Sequence, residues 1–235
     1  MMKGMGGLSP RLQAVCKMIP TGDVADIGTD HAQLPIALAD SGWSGKIIAS
    51  EVQSGPFLRA QHEIRRSGWQ KRIELRYGDG LSVLAPGEVG TIVLAGMGGG
   101  LIATLLQAAP QVAGMAKTIV LQPMQGADIL RRWLVGAGYQ LRDEDLAKEG
   151  AKLYEVIAAG KGRQVITEEL LFEIGPCLWD KRHPLLPDLI RFWLHRYGHA
   201  VAALENAKRP GAVAHRASLI KKMARLEEML RCISR

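Results

Sequence analysis

The sequence contains little cysteine, and its cysteines are widely scattered. Cys16, Cys177 and Cys232 are the three cysteines of the chain, and no two of them have the spacing of a redox motif or of a set of metal ligands. We therefore expect no metal site, and thiols that are buried or idle in a reducing compartment. The first residues also lack the apolar core of a secretory signal. These absences predict a cytoplasmic protein.

Charge is missing from one long stretch. Residues 89–116 contain no charged side chain, which is the one pattern that suggests a membrane span. Glycines at positions 96, 98, 99 and 100 interrupt the stretch, and the β-branched run Thr91-Ile92-Val93-Leu94 precedes them. A buried parallel strand, a turn and a packed helix explain this pattern better. We expect no contact with a membrane.

Positive charge is concentrated in the last third of the chain. Residues 161–235 hold 14 Lys and Arg against 8 Asp and Glu, whereas residues 1–160 hold 16 against 15. The sequence therefore predicts two domains with these bounds. A basic segment beside a nearly neutral one is typical of a polyanion partner, although a solvated helix surface gives the same count. Among its arginines, Arg182 and Arg191 are candidates for contacts with a nucleic acid.

Apolar runs alternate with amphipathic stretches in the first domain. Strands are predicted at 24–27, 46–50, 73–76, 91–94 and 118–121, and helices at 10–19, 32–40, 56–67, 99–107 and 126–136. This alternation implies an α/β fold with a parallel sheet. Two more strands, 139–143 and 153–158, have no helix between them and predict an antiparallel hairpin at the edge. The outline is that of a class I methyltransferase with a Rossmann-like sheet.

The second domain shows only helical patterns. A helix is predicted near 167–175, followed by two heptad seams on either side of Pro210-Gly211. The seam residues are Ile190, Leu194, Tyr197, Val201 and Leu204, then Met223, Leu226, Leu230 and Ile233. A short connection returns the chain on itself, so we expect a helical coiled-coil hairpin. Trp179, Phe192 and Trp193 are able to stack on bases, but their mixed spacing favours core packing.

The first turn of the α/β domain lacks the three-glycine fingerprint of nicotinamide dinucleotide sites. Gly28 is present, but Asp30 stands where the second glycine would fall, and all three glycines are needed against a pyrophosphate. An acidic turn repels a diphosphate. S-adenosylmethionine has no phosphate and carries a sulfonium and an ammonium group, so carboxylates in its loop are favourable. The sequence favours S-adenosylmethionine, with Asp26 and Gly28 in its site.

Acidic or glycine-rich segments follow the next strands as well. Glu51 lies about 20 residues beyond Gly28, the spacing at which a carboxylate reaches a ribose diol. Asp79 and Gly80 follow the third strand, and Gly96, Met97 and Gly98 follow the fourth. Each segment alone is more often structural, but parallel strands bring their carboxyl ends to one edge of the sheet. We expect Glu51 to bind the ribose, Asp79 the adenine amino group, and residues 96–99 to form an open floor where the substrate meets the methyl group.

Asp30 and His31 are the polar residues of the first loop that have no predicted cofactor contact. A ring nitrogen of adenine attacks with its own lone pair and becomes cationic, so a nearby carboxylate stabilises the growing charge. The chain has no Asn-Pro-Pro-Tyr segment, of the kind used on exocyclic amino groups, at the end of the fourth strand. Asp30 and His31 are therefore the candidate catalytic residues.

Several segments resemble the bacterial tRNA (adenine-22 N1)-methyltransferase family. They include Ser-Pro-Arg-Leu from Ser9, Ala-Asp-Ile-Gly-Thr-Asp-His-Ala from Ala25, Gly-Pro-Phe from Gly55, Gly-Asp-Gly-Leu from Gly78, Ala-Gly-Met-Gly-Gly from Ala95, Leu-Gln-Pro from Leu121 and Tyr-Glu-Val from Tyr154. The resemblance covers residues 8–158. It implies S-adenosylmethionine-dependent methylation of N1 of an adenosine in the D-arm region of tRNA, with Gln122 and Pro123 in the loop that contacts the base. Met124 stands where the family pattern has asparagine, and methionine cannot supply that hydrogen bond.

Two other functions are compatible with the same residues. One alternative is a methyltransferase that acts on another RNA or on a small molecule, and the other is a noncatalytic RNA-binding module that retains the fold. Cofactor binding distinguishes the noncatalytic module from the two methyltransferases. Methyl transfer to tRNA distinguishes the tRNA methyltransferase from a methyltransferase with another substrate.

Overall fold

The structure is a computed structural model that describes residues 5–233. Its first α-helix begins at Pro10, as predicted. The hydroxyl of Ser9 accepts a hydrogen bond from the backbone N–H of Leu12 and so caps α1 (Pro10–Lys17). Proline fits the first helical position because its missing N–H would have no partner there. The contacts within the chain divide it into two units, with the boundary after Val165.

The first unit contains one sheet of seven strands. They are β1 (Val24–Ile27), β2 (Ile47–Glu51), β3 (Ile73–Tyr77), β4 (Thr91–Gly98), β5 (Thr118–Gln125), β6 (Tyr139–Glu149) and β7 (Lys152–Lys161). Their order across the sheet is β3–β2–β1–β4–β5–β7–β6. The first five are parallel, and β7 is antiparallel to both β5 and β6. The predicted parallel sheet closed by a hairpin is confirmed.

Helices connect the parallel strands. They are α2 (Gln33–Asp40), α3 (Ser54–Arg66), α4 (Gly99–Ala108), α5 (Pro110–Met115) and α6 (Ala127–Gly136). The sequence analysis missed α5, which begins on a proline directly after α4. None of the helices within residues 5–233 combines the length and the hydrophobicity that a membrane span requires.

The central strand positions the functional edge of the sheet. All four residues of β1 are buried, and Ile27 pairs with Ser50 of β2 on one side and with Leu94 of β4 on the other. Burying an isoleucine or leucine side chain contributes about 1.5–3 kcal/mol, so these apolar strands hold their register firmly. Strand order reverses between β1 and β4, and such a switch point is where open α/β sheets bind their ligands.

Strand β4 is longer than the sequence predicts. The prediction ended it at Leu94, but pairing with β5 continues to Gly98 through register shifts around Met97. Gly96 has a φ of +78°, a conformation that glycine adopts without a steric penalty. The glycine segment is therefore a bulged strand end and not a turn beyond the strand.

The regular elements in the described part of the second unit are all helices. It contains α7 (Leu171–Ile174), α8 (Pro176–Asp180), α9 (Leu186–Ala203) and α10 (Pro210–Ile233). The helix predicted at 167–175 is wrong in length, because the N–H groups of Leu171 and Phe172 bond to carbonyls three residues back and form turns.

Helices α9 and α10 pack against each other. Ile190 and Tyr197 of the first seam and Leu226 of the second are buried, as are Leu219 and Met229, which the heptad pattern left out. The helix pair is present, and its coiled-coil geometry stays a prediction. Trp193 is buried and donates its indole N–H to the carbonyl of Glu173 at 2.9 Å, whereas the neighbouring Phe192 is exposed.

Candidate active site

The loop after β1 is held against the end of β2. Backbone N–H groups of Gly28 and Thr29 both donate to the carbonyl of Ser50 at 2.9 Å. Gly28 has a φ of +75°, and a Cβ at that position would lie 2.3 Å from the Met97 methyl group. The positive φ favours glycine, and the short distance places the flexible end of Met97 directly beside the loop.

Two further residues of the loop have left-handed backbone conformations. Asp30 has a φ of +49° and Ala32 a φ of +53°, which is uncommon for residues other than glycine. Such strain persists where the surroundings enforce it, and it is concentrated at functional sites. Here the N–H of Asp30 donates to the Glu51 carboxylate at 3.2 Å, which helps to enforce the conformation.

Glu51 is a buried carboxylate fixed by backbone donors. It is 7% exposed, and its Oε1 accepts from the N–H groups of Val52 and Gln53 at 2.9 and 3.1 Å. A carboxylate has about four acceptor positions, and these two bonds with the one from Asp30 leave room for a further donor. Glu51 is therefore preorganised to accept a hydrogen bond from a ligand hydroxyl.

Asp26 lies nearby in β1 and is also buried. Its Oδ2 accepts the Thr29 hydroxyl at 2.6 Å. Burial raises the pKa of Asp26 to about 6, while the Thr29 hydrogen bond and the Arg11 charge oppose this and Glu51 adds to it. A buried anion without a cation bonded to it gains from a positively charged ligand. The residues at this edge therefore fit a cofactor with a ribose and a cationic group.

Asp30 and His31 lie at the surface of the same loop. Asp30 Oδ1 is 3.1 Å from Arg59 Nη2 of α3, and Asp30 Oδ2 is 3.6 Å from His31 Nε2. All three side chains are about half exposed. The carboxylate is thus available at the surface but already paired.

Gln122 is placed differently from the sequence expectation. Its side chain is fully buried, and its Oε1 accepts from Arg11 Nη1 at 2.7 Å and from the Gly96 N–H at 3.1 Å. Pro123 is buried as well. Neither side chain is accessible to a target base in this geometry, and Gln122 instead joins Arg11 to β4. Met124 is exposed beside them.

A cavity of about 260 Å³ lies between these segments. Its walls include Arg11, Asp26, Gly28, Asp30, His31, Gly96 and Met124. These seven residues come from four separate parts of the fold. The sequence analysis predicted five of them as site residues, namely Asp26, Gly28, Asp30, His31 and Gly96. It missed Arg11, because only the folded chain brings α1 to the ends of β4 and β5.

The remaining predicted residues lie outside this cavity. Asp79 is exposed just after β3, near Glu51, whose carbonyl accepts the N–H of Gly78. Gly80 has a φ of +51°, and a Cβ there would lie 2.7 Å from Leu105. In the second unit, Arg182 is exposed, and Arg191 pairs with Asp188 at 3.1 Å. Within residues 5–233, no group of three or more His, Cys, Asp or Glu is placed to hold a metal ion.

The strand order, with acidic residues at the ends of β1 and β2, defines a Rossmann-like methyltransferase. Residues 8–157 match a family model described as a methyltransferase domain. The tRNA (adenine(22)-N(1))-methyltransferase of Bacillus subtilis (strain 168) is 34% identical over 230 residues, which are 95% of this chain and 95% of that protein. The chain therefore belongs to the tRNA (adenine(22)-N(1))-methyltransferase family.

Two solved structures are similar to this chain over 95% of its length. The B. subtilis m1A22 tRNA methyltransferase superposes with a TM-score of 0.84 at 34% identity, covering 95% of this chain and 98% of that one. A Streptococcus pneumoniae protein described as a putative tRNA (m1A22) methyltransferase was solved in complex with S-adenosyl-L-methionine. It superposes with a TM-score of 0.82 at 30% identity, covering 95% of this chain and 99% of that one.

Proposed function

We propose that this protein transfers a methyl group from S-adenosylmethionine to N1 of adenosine 22 in tRNA. The observation that carries the proposal is the edge of the sheet at β1 and β2, where Asp26 and Glu51 are fixed beside a cavity that Asp30 also lines. The family of the chain agrees with this chemistry. Because tRNA is the substrate, the proposal places the activity in the cytoplasm.

The cofactor contacts follow from the environment of each residue. Glu51 has an acceptor position left for a ribose hydroxyl, and Gly28 allows the backbone to approach the methionine part. Asp26 provides the negative charge beside the cationic groups. Met97, whose methyl group lies close to Gly28, and Gly98 border the cofactor from the end of β4. Asp79 and Gly80 continue the same edge toward the adenine. When bound, S-adenosylmethionine supplies a methyl group made electrophilic by the sulfonium.

Asp30 and His31 act on the target base. N1 of adenine has a lone pair, so no proton has to be removed before it attacks the methyl group. The methylated base is cationic, and the Asp30 carboxylate stabilises this charge as it develops. Holding the base in line with the methyl group supplies further acceleration. Gln122 contributes indirectly by fixing Arg11 and the backbone of Gly96 in the cavity wall.

The second unit supplies positive charge for the RNA. Its excess of Lys and Arg provides phosphate contacts, which dominate the affinity of proteins for nucleic acids. Arg182 and Arg191 are the proposed contacts, and both are exposed. Arg191 would exchange its surface pair with Asp188 for a phosphate.

Methylation of two tRNA transcripts tests the proposal. The full-length protein is incubated with S-adenosylmethionine and a transcript carrying adenosine 22, or the same transcript with guanosine there, and the nucleosides are identified by mass spectrometry. We expect 1-methyladenosine only in the first transcript. Methylation at another position or on another RNA contradicts the substrate, and calorimetric cofactor binding without any methyl transfer contradicts the enzyme assignment.

A further inference from the structure

The carboxylate assigned to the target base is paired in the free protein. Arg59 Nη2 lies 3.1 Å from Asp30 Oδ1, and the two side chains are 50% and 56% exposed. Within residues 5–233, Asp30 is the one acidic side chain that bonds to Arg59. Arg59 thus contacts the proposed catalytic residue directly.

This ion pair is easily exchanged. Pairs with both partners exposed contribute little to stability, because water screens them and two long side chains must be ordered. The Arg59 guanidinium has five N–H donors, and a single hydrogen bond to Asp30 uses one of them. The first turn of α3, which leads to Arg59, contains no acidic residue. The acidic residue of this helix, Glu63, lies four positions after Arg59 and is paired with Arg66 at 2.6 Å.

The target nucleotide brings such an anion to this place. A base that enters the cavity beside Asp30 is joined through its ribose to a phosphodiester, which has to remain at the cavity mouth. The geometry points to Arg59 as the residue that binds a backbone phosphate of the substrate RNA, in exchange for Asp30. This inference rests on the proposed function, since it takes an RNA as the substrate.

The exchange is favourable because of the shapes of the two partners. A guanidinium binds phosphate in a bidentate manner, with two parallel hydrogen bonds, whereas its present bond to Asp30 is single. Binding of the phosphate also frees the Asp30 carboxylate. An unpaired carboxylate stabilises a cationic base better than one neutralised by arginine, so RNA binding completes the catalytic site.

Salt-dependent RNA binding tests the phosphate contact. Fluorescently labelled tRNA is titrated with the full-length protein at several KCl concentrations in the presence of S-adenosylhomocysteine, so that no chemistry occurs. We compare the wild type with Arg59→Ala, Arg59→Lys and a matched control, Arg65→Ala, which removes an exposed arginine from the same helix. Each lost phosphate contact lowers the slope of log affinity against log salt by about one.

Arg59→Ala is expected to weaken tRNA binding about five- to tenfold and to lower the salt slope by about one unit. Arg59→Lys keeps the slope but binds less tightly, because lysine cannot form the bidentate pair. Arg65→Ala changes neither quantity. Asp30→Asn alone strengthens tRNA binding slightly, because it releases Arg59. Added to Arg59→Ala, the same substitution does not change tRNA binding.

Single-turnover methylation at saturating tRNA distinguishes a phosphate contact of Arg59 from a direct effect of Arg59 on the methyl-transfer step. If Arg59 binds phosphate, Arg59→Ala keeps most of the rate at saturation, while Asp30→Asn lowers it in both backgrounds. An Arg59→Ala variant with unchanged affinity and slope, or one that loses rate without losing the slope, overturns the phosphate site while leaving the proposed function intact. Absence of tRNA binding by the wild type overturns both.

Discussion

At the scale of single residues, the two buried carboxylates of the site have different environments. Glu51 accepts three backbone hydrogen bonds, which compensate the cost of burying its charge. Asp26 has one side-chain hydrogen bond, from Thr29, and its burial is the largest cause of its raised pKa. Backbone donors therefore stabilise the carboxylate of Glu51, whereas the carboxylate of Asp26 is stabilised by a cationic ligand.

Replacing Glu51 by alanine should weaken cofactor binding. A hydrogen bond to a charged group contributes about 1.5–3 kcal/mol, so Glu51→Ala is expected to weaken S-adenosylmethionine binding by about 10- to 150-fold in calorimetry. The variant also removes the acceptor for the loop N–H groups. Glu74→Ala, which removes an exposed carboxylate from β3, is the control, and thermal melts check the folding of both.

A cofactor analogue isolates the ribose contact. If Glu51 binds the ribose, S-adenosylhomocysteine that lacks the ribose hydroxyls loses affinity for the wild type and loses little more for Glu51→Ala. Equal losses in both proteins would remove the ribose from the contacts of Glu51.

Replacing Asp26 by asparagine should stabilise the free protein above pH 6. The pKa of Asp26 is raised to about 6 in the folded state, so between about pH 4 and 6 the folded protein binds more protons than the unfolded chain. The free energy of unfolding therefore falls as the pH rises through this window. Above it, the ionised Asp26 costs about 1–3 kcal/mol, and a neutral asparagine side chain at this position avoids the cost. Urea denaturation at pH 4 and pH 8 measures the difference, which should vanish at pH 4.

The same substitution should abolish part of the pH dependence of cofactor binding. A cationic ligand favours ionised Asp26, so the affinity of the wild type for S-adenosylmethionine rises as the pH increases through about 6, the pKa of this carboxyl. Asp26→Asn is therefore the comparison, and a variant that keeps the full wild-type pH profile would show that Asp26 is not the group responsible.

The sequence pattern identified these acids because Asp26 lies within one short apolar run and Glu51 directly follows another. The register of parallel strands then brings them together without further information. Gln122 was misread since its partner Arg11 lies 111 positions away, and Arg59 was missed because its contact with Asp30 joins a loop to a helix 29 positions later. Contacts between side chains from distant elements depend on packing, which no local pattern encodes.

At the scale of elements, the sequence predicted strands by hydrophobicity and misjudged their ends. Strand β4 extends beyond Leu94 because its backbone pairs with β5 through a bulge. Glycine has no side chain that indicates a strand, so the glycine-rich segment was predicted as a turn. Strands β6 and β7 are also longer than predicted, and β6 contains polar residues that face away from the core. One of its charged residues, however, is fully buried.

That residue, Glu144, belongs to a buried ion cluster that joins α6 to the hairpin. Arg131 Nε lies 2.5 Å from Glu144 Oε1, and Arg131 Nη2 lies 2.6 Å from Glu155 Oε2. Arg131→Met should destabilise the protein by about 3–5 kcal/mol, because it leaves buried carboxylates without their cation. The loss is measured by urea denaturation. Adding Glu144→Gln and Glu155→Gln to this variant should recover much of it, and failure to recover would point to lost packing instead of uncompensated charge.

At the scale of the whole molecule, charge and chemistry are divided between the two units. Every proposed cofactor and catalytic residue lies before Val165, whereas most of the net charge of +7 comes from residues after it. The alternation of strands and helices predicted the first unit, and the helical periodicity predicted α9 and α10. A charge count is the same for an RNA-binding surface and for a solvated one, and removal of the second unit distinguishes the two.

Removing the second unit should separate cofactor binding from RNA binding. A chain ending at Val165 keeps all seven strands and also Gln164, whose side chain accepts the N–H of Leu141 at 2.8 Å. We expect it to bind S-adenosylmethionine like the full chain in calorimetry. Its affinity for tRNA should fall, and its salt slope should be shallower by up to about one unit for each lost phosphate contact. A full-length variant with Arg182→Gln and Arg191→Gln should show part of the same change. Equal tRNA affinity and salt slope for the truncated and full-length proteins would mean that the positive charge of the second unit is only a solvated surface.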